Sequence, residues 1–380
     1  MTPLHGALIR ASRQFATLGA LAAVTSCTAS FQNAVDAQYY LFVSANGTSP
    51  YSINAFSLDA VSRLTEGTQN SVDNSSPLVV SHPSRPWIAT STYAGSPRLV
   101  TTYSVNAADG ALTQMSQLTI GNQSLRALAL DPIGEFIVVG MDTYLHLVRW
   151  DARTGAVTSL PGYDYVTLDI QVPAMAFHPN GIWLYVIRQS TISVSYLDVF
   201  SIAREAGTLT LMQSLALGAN QDYRRLVMHP DGHTLIGSEV VSGGSGVVSF
   251  SIDPSTGLAT YVTKNLGIIG GQGGFKFTSD GRYLVNWASA GSLQLYRLDS
   301  ETHLLSLYFT QSTNVGSNTN IFDLAISPDG TKIYGAEYGA GKLYELGLDE
   351  ASGYVTLLQT FTTPLQPQRI AIVRTLKPAP

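Results

Sequence analysis

Three observations predict an all-β fold. Six tight turns recur at Pro83, Pro132, Pro179, Pro230, Ser279 and Pro328, at spacings of 49, 47, 51, 49 and 49 residues. Each lies between two apolar runs, as in LALDPIGEFIVVGMD and LAISPDGTKIYGAEY. Between these turns lie seven copies of a second hairpin, typified by VVSFSIDPSTGLAT, with Asp or Asn at the bend and Gly where positive φ is needed. A fixed period of this kind means one supersecondary unit per repeat. Two hairpins per period give four strands, the content of one propeller blade. The sequence therefore predicts a seven-bladed β-propeller with four antiparallel strands per blade.

Six first turns against seven second hairpins leaves one blade incomplete, and the chain ends supply what is missing. YYLFVSANG, from Tyr39, reads as a second strand lacking its first. QRIAIVRT, Gln368 to Thr375, reads as a first strand lacking its second. Pairing the two completes the seventh blade and closes the ring, which removes two exposed sheet edges. The propeller is expected over residues 38–376, with a short tail at 377–380. After the N-terminal segment, no helix-period pattern exceeds two turns.

Composition agrees with many short strands and turns. Charged residues are 12% of the chain, against roughly 25% in an average globular domain, and there are 34 Gly. The net charge is −5 and no Lys/Arg cluster stands out, so a nucleic-acid partner is not expected. The first residues differ from the rest: Arg10 and Arg13 precede the apolar run Phe15–Val24, and VTSC ends in Cys27, the only cysteine. Ten residues span about 15 Å as a helix, too short for a bilayer and suited to a secretory h-region. VTSC resembles a bacterial lipobox. The expected layout is a lipoprotein-type signal at 1–26, acylation of Cys27 and a linker over 27–37. The protein would then be an exported monomer held in the cell envelope by its lipid anchor alone. A single cysteine rules out an internal disulfide.

Catalytic signatures are sparse. His82, His178 and His229 each directly precede a turn proline, a repeated position that points to a turn or packing role. No HExxH, CxxC or G-x-S-x-G motif occurs, and neither a metal nor another cofactor is expected. GIIGGQGG (267–274) is followed by a strand rather than the helix a phosphate loop needs, so it reads as an inter-blade connection. The informative comparison takes one position from every blade. Nine residues past each turn proline or its equivalent come Asn46, Thr92, Met141, Arg188, Glu239, Ala288 and Glu337, with Tyr93, Asp142, Trp287 and Tyr338 beside them. Six residues before it come Arg126 and Arg224, and one residue later Arg225, Asp323 and Arg369. This register implies a channel mouth carrying arginines, carboxylates and aromatics. Hydrolytic chemistry at such a mouth needs a base for water and a cation for the developing oxyanion. Glu239 or Glu337 is the candidate base, and Arg188, Arg126 or Arg224 the candidate cation, with Arg225, Trp287 and Tyr338 lining the substrate.

The P-D-G-x-x-L-Y-V and D-x-x-T-G-x-L-T patterns resemble the bacterial lactonase-type seven-bladed propellers, which include 6-phosphogluconolactonases, over residues 38 to 376. That resemblance implies hydrolysis of a sugar lactone or similar small cyclic ester at the central channel. Family members tend to show Gly-Pro-Arg-His entering a first strand and Asn-Glu-Leu ending a second. Here Arg126 and Arg224 hold the arginine position, while Ala127 and Arg225 stand where histidine is expected. Asn-Glu-Leu does not occur, and Glu239 falls one residue short of the expected glutamate. The other reading is a non-catalytic envelope propeller recognising carbohydrate, peptide or a protein partner, with Tyr93, Trp287 and Tyr338 as stacking groups.

Overall fold

A computed structural model describes residues 37–376 apart from 47–50, 73–77, 93–96, 166–169, 191–193, 220–221, 242–243, 267–273, 288–291, 313–320, 350 and 364–365. The N-terminal segment with Cys27, the 377–380 tail, Tyr93, Ala288 and nearly all of GIIGGQGG lie outside the described residues.

Seven four-stranded antiparallel sheets form the blades. Numbered in chain order, the first contains 37–72 and the C-terminal strand. The others span 78–121, 125–164, 170–219, 222–266, 275–312 and 321–362. Ring closure follows the sequence expectation: Gln366–Leu376 is the innermost strand of the first blade and pairs with Ala37–Asn46, from Ala37 opposite Leu376 to Asn46 opposite Gln366. Blade faces are apolar because each is covered by its neighbour, so second and third strands read as buried runs such as FIVVGM, Phe136–Met141. In all seven blades the outer hairpin carries a register shift, for example between Ser249 and Phe250. Such bulges twist an exposed edge away from further pairing.

The tight turns all lie on one face, and there the repeated histidines lock adjacent blades. His178 Nδ1 accepts the Asn180 N–H at 3.1 Å, so its other nitrogen carries the proton and donates to the Gly232 carbonyl of the next blade, also at 3.1 Å. His229 Nε2 likewise meets the Gly281 carbonyl of the next blade at 2.9 Å, while its Nδ1 faces the Asp231 carboxylate at 2.7 Å. His82 accepts from Ser84 and Arg85, and its ring packs so closely on Gly134 that a Cβ there would lie 2.5 Å from Nε2. Gly134, Gly232 and Gly281 also have φ between +73° and +87°, so glycine is required on both counts.

The contacts of His82 and His178 need neutral rings. Burial is the largest influence on His82 and His178 and lowers both from the ordinary value of 6.5. The unfolded chain therefore takes up protons before the folded one does. The stability carried by the neutral rings is complete above about pH 6.5 and is lost as pH falls below it. Thermal melts should accordingly be flat above pH 7 and drop in Tm between about pH 6.5 and 5, and the drop should shrink in His82→Gln/His178→Gln. An identical drop in the double variant would contradict this account.

Candidate active site

At the face opposite the turns, first strands enter the ring and their leading residues border the central axis. The two leading positions hold Arg126, Arg224 and Phe322, followed one residue on by Arg225, Asp323 and Arg369. All of these but Asp323 join Gln189, Asp222 and Tyr338 around a mouth of about 370 Å³, which narrows to a waist of about 120 Å³. Four guanidinium groups and a single carboxylate, Asp222, line the mouth among the described residues.

Each cation is differently held. Arg126 Nε pairs with Asp142 at 2.9 Å, both about one-third exposed. Arg224 pairs with Asp222, which also accepts from Gln189 Nε2 at 3.3 Å. Arg225 reaches from the fifth blade past the sixth to donate to the Phe322 carbonyl of the seventh. Desolvation, with Arg369 beside it, pushes Arg225 down to about 9, and Asp323 only partly offsets this. Arg225 is therefore still a cation at neutral pH, held where a further anion would stabilise it. Asp323 also accepts the Ile370 N–H at 3.1 Å, joining the seventh blade to the closing strand. Tyr338 lies against Phe322 with ring centroids 4.9 Å apart, giving the mouth an aromatic wall.

The structure thus brings Arg126, Arg224, Arg225 and Tyr338 together, and places the other sequence candidates elsewhere. Glu239 is fully buried and receives Lys264 Nζ at 2.7 and 2.9 Å. Glu337, also buried, caps its own turn by accepting the Gly339 and Ala340 N–H groups at 2.8 and 2.6 Å. Arg188 donates to buried Asp198 at 2.7 Å and packs over the Tyr196 and Tyr165 rings at 4.0 and 5.5 Å. Trp287 is a core side chain against Tyr344 and Gly335, where a Cβ would lie 2.4 Å from the indole. None of the four lines the mouth.

The reason is geometric. The nine-residue register selects second strands, one strand spacing of about 4.8 Å outside the channel, and their side chains point into the contacts between blades. Asp222, Gln189 and Phe322, which the sequence reading did not single out, reach the mouth instead. For Asp222 and Phe322 the available signal was the first-strand register that had found the arginines, whereas Gln189 stands at the end of a second strand. Glu239→Gln should therefore cost about 1–3 kcal/mol of stability through the lost ion pair, measured by chemical denaturation, and leave ligand affinity at the mouth unchanged. A fall in affinity at full stability would return Glu239 to the site.

No family model matches the sequence, and no curated protein is similar to it in sequence. Solved structures do match in fold. A periplasmic gluconolactonase of Pseudomonas aeruginosa superposes with a TM-score of 0.73 at 17% identity, covering 88% of this chain and 99% of the other. A protein described as a putative 6-phosphogluconolactonase, from Bacteroides uniformis, gives 0.72 at 13% identity, covering 89% and 100%. Apo AztD from Citrobacter koseri gives 0.60 at 14%, covering 89% and 98%. The chain has the fold of the lactonase-type seven-bladed propellers.

Proposed function

We propose that the protein is an exported, lactonase-like propeller whose channel mouth captures a small sugar-derived anion, either an open-chain sugar acid or a lactone bearing an acidic group. The observation that carries this reading is the mouth itself: four guanidinium groups against one carboxylate around about 370 Å³. Guanidinium forks match carboxylate and phosphate geometry. A lining of one sign in a concave, low-dielectric site also concentrates oppositely charged ligands. Phe322 and Tyr338 offer the apolar face of a sugar ring a surface to rest on.

Ring opening is the second reading, favoured by the shared fold and by Asp222 in the mouth. Asp222 would take a proton from water while Arg225 or Arg126 steadied the oxyanion. Its oxygens are already engaged by Arg224 and Gln189, so the geometry supports capture more strongly than turnover.

Both readings are tested on residues 28–380. Calorimetric titration with gluconate and 6-phosphogluconate measures capture, and acid release from a panel of lactones measures hydrolysis, with Asp222→Asn beside the parent. Absence of binding by either acid, together with lactone loss no faster than the uncatalysed rate, would end both. Export and lipid anchoring rest on the N-terminal sequence. Under that reading Cys27→Ala releases the protein from the membrane fraction, and unchanged fractionation counts against it.

A further inference from the structure

The channel does not end at its waist. Beyond it, toward the turn face, lies a chamber of about 570 Å³ whose rim carries Pro83, Pro132, Ser279 and Pro328 from four blades. Val80, Leu130, Phe177, Ile326 and Ile372 give its wall an apolar share, interleaved with Ser81, Ser279 and Ser327. One first-strand position breaks the pattern. Three places before the turn proline or its equivalent, six blades carry Val80, Ala129, Ala176, Val227, Ala325 and Ala371, and the sixth blade carries Lys276. This lysine lines the chamber. The acid that shares the lining, Asp131, is already committed: it is buried, pairs with Arg204 at 2.7 Å and accepts the Glu135 and Phe136 N–H groups at 2.6 and 2.9 Å.

We propose that this chamber is a second binding site, for an alkyl carboxylate whose head group meets Lys276 and whose chain lies along the apolar wall. A volume of this size falls within the range of small-molecule sites, which combine apolar walls with one or two placed polar groups. The wall favours a hydrocarbon chain by removing it from water. The ammonium group selects an acid over an alcohol or an amine of the same length, since only the acid offers it a charge-assisted hydrogen bond. The two ends of the channel are thereby chemically distinct, with guanidinium groups and aromatic rings at the mouth and aliphatic side chains with a single amine at the turn face.

Titration calorimetry with decanoate tests the site, with decanol as the uncharged comparison and Lys276→Met and Lys276→Gln as variants. Both replacements resemble the uncharged residues at the equivalent positions, and thermal melts confirm that each folds. The parent is expected to bind decanoate at least tenfold more tightly than either variant does, on the scale of one charge-assisted hydrogen bond. Decanol affinity should be the same in all three. Arg225→Met should bind decanoate as the parent does, which separates this site from the mouth. No decanoate binding by the parent overturns the proposal, as does equal binding by the lysine variants or loss of binding in Arg225→Met alone.

Discussion

Arg225→Met is expected to weaken binding of gluconate or 6-phosphogluconate by about ten- to a hundredfold, the weight of one charged hydrogen bond in a confined site. Arg225 is the arginine that reaches from the fifth blade to the seventh; burial and Arg369 weigh against its charge, and Asp323 offsets them in part. Thermal melts of the variant check that it folds, so that loss of affinity is not ascribed to misfolding. The pH profile offers a separate check. A guanidinium keeps its proton throughout the working range, so affinity should be level between pH 6 and about 9. Parent-like affinity in Arg225→Met would remove the central cation from the capture site.

Removing the closing strand is expected to have the largest effect on folding. A chain ending at Thr363 lacks Gln366–Leu376 and with it the pairing to Ala37–Asn46. Buried Ile370, Ala371 and Val373 leave two of the hydrophobic clusters that fill the seams beside the first blade. At about 1.5–3 kcal/mol for each large buried side chain, and with the backbone edges newly exposed, the loss approaches the whole stability of an ordinary domain. Seam contacts would go too, including the Ile370 N–H to Asp323. Circular dichroism should show no cooperative melt for the truncated chain, and a peptide of residues 366–376 added in trans should restore part of it. A truncated chain that melted as the parent does would mean the ring does not depend on closure.

The fold was legible because every blade repeats two signals that local physics enforces, the tight turn and the second hairpin with its positive-φ glycine. Closure was legible because the two odd strands at the chain ends had complementary deficits. The site was only half legible. Counting from the turn identified Arg126, Arg224, Arg225 and Arg369, because a first strand runs straight along the channel and its leading residues face it. The same counting misplaced Glu239, Glu337, Arg188 and Trp287. Sequence spacing fixes the height of a residue in a blade and leaves open how far from the axis it stands. Lys264 and Asp198, which absorb the charges of Glu239 and Arg188, stand on other strands of the same blades, 25 and 10 residues away. The partner of a buried charge is a matter of sheet pairing, and no motif announces it.

The pairing of Ala37 with Leu376 places both ends of the described chain on the turn face. Whatever support holds the molecule by the segment ahead of Ala37 therefore sees the side with the proline rim and the aliphatic chamber, while the arginine mouth is presented outward. Under the lipid-anchor reading, the linker from Cys27 to Ala37 spans at most roughly 35 Å when fully extended. The mouth would then sample water-soluble anions from the open compartment, and the chamber would open toward the bilayer, where amphiphilic acids are most concentrated. Orientation alone would sort the two classes of ligand before either site exercised any selectivity of its own.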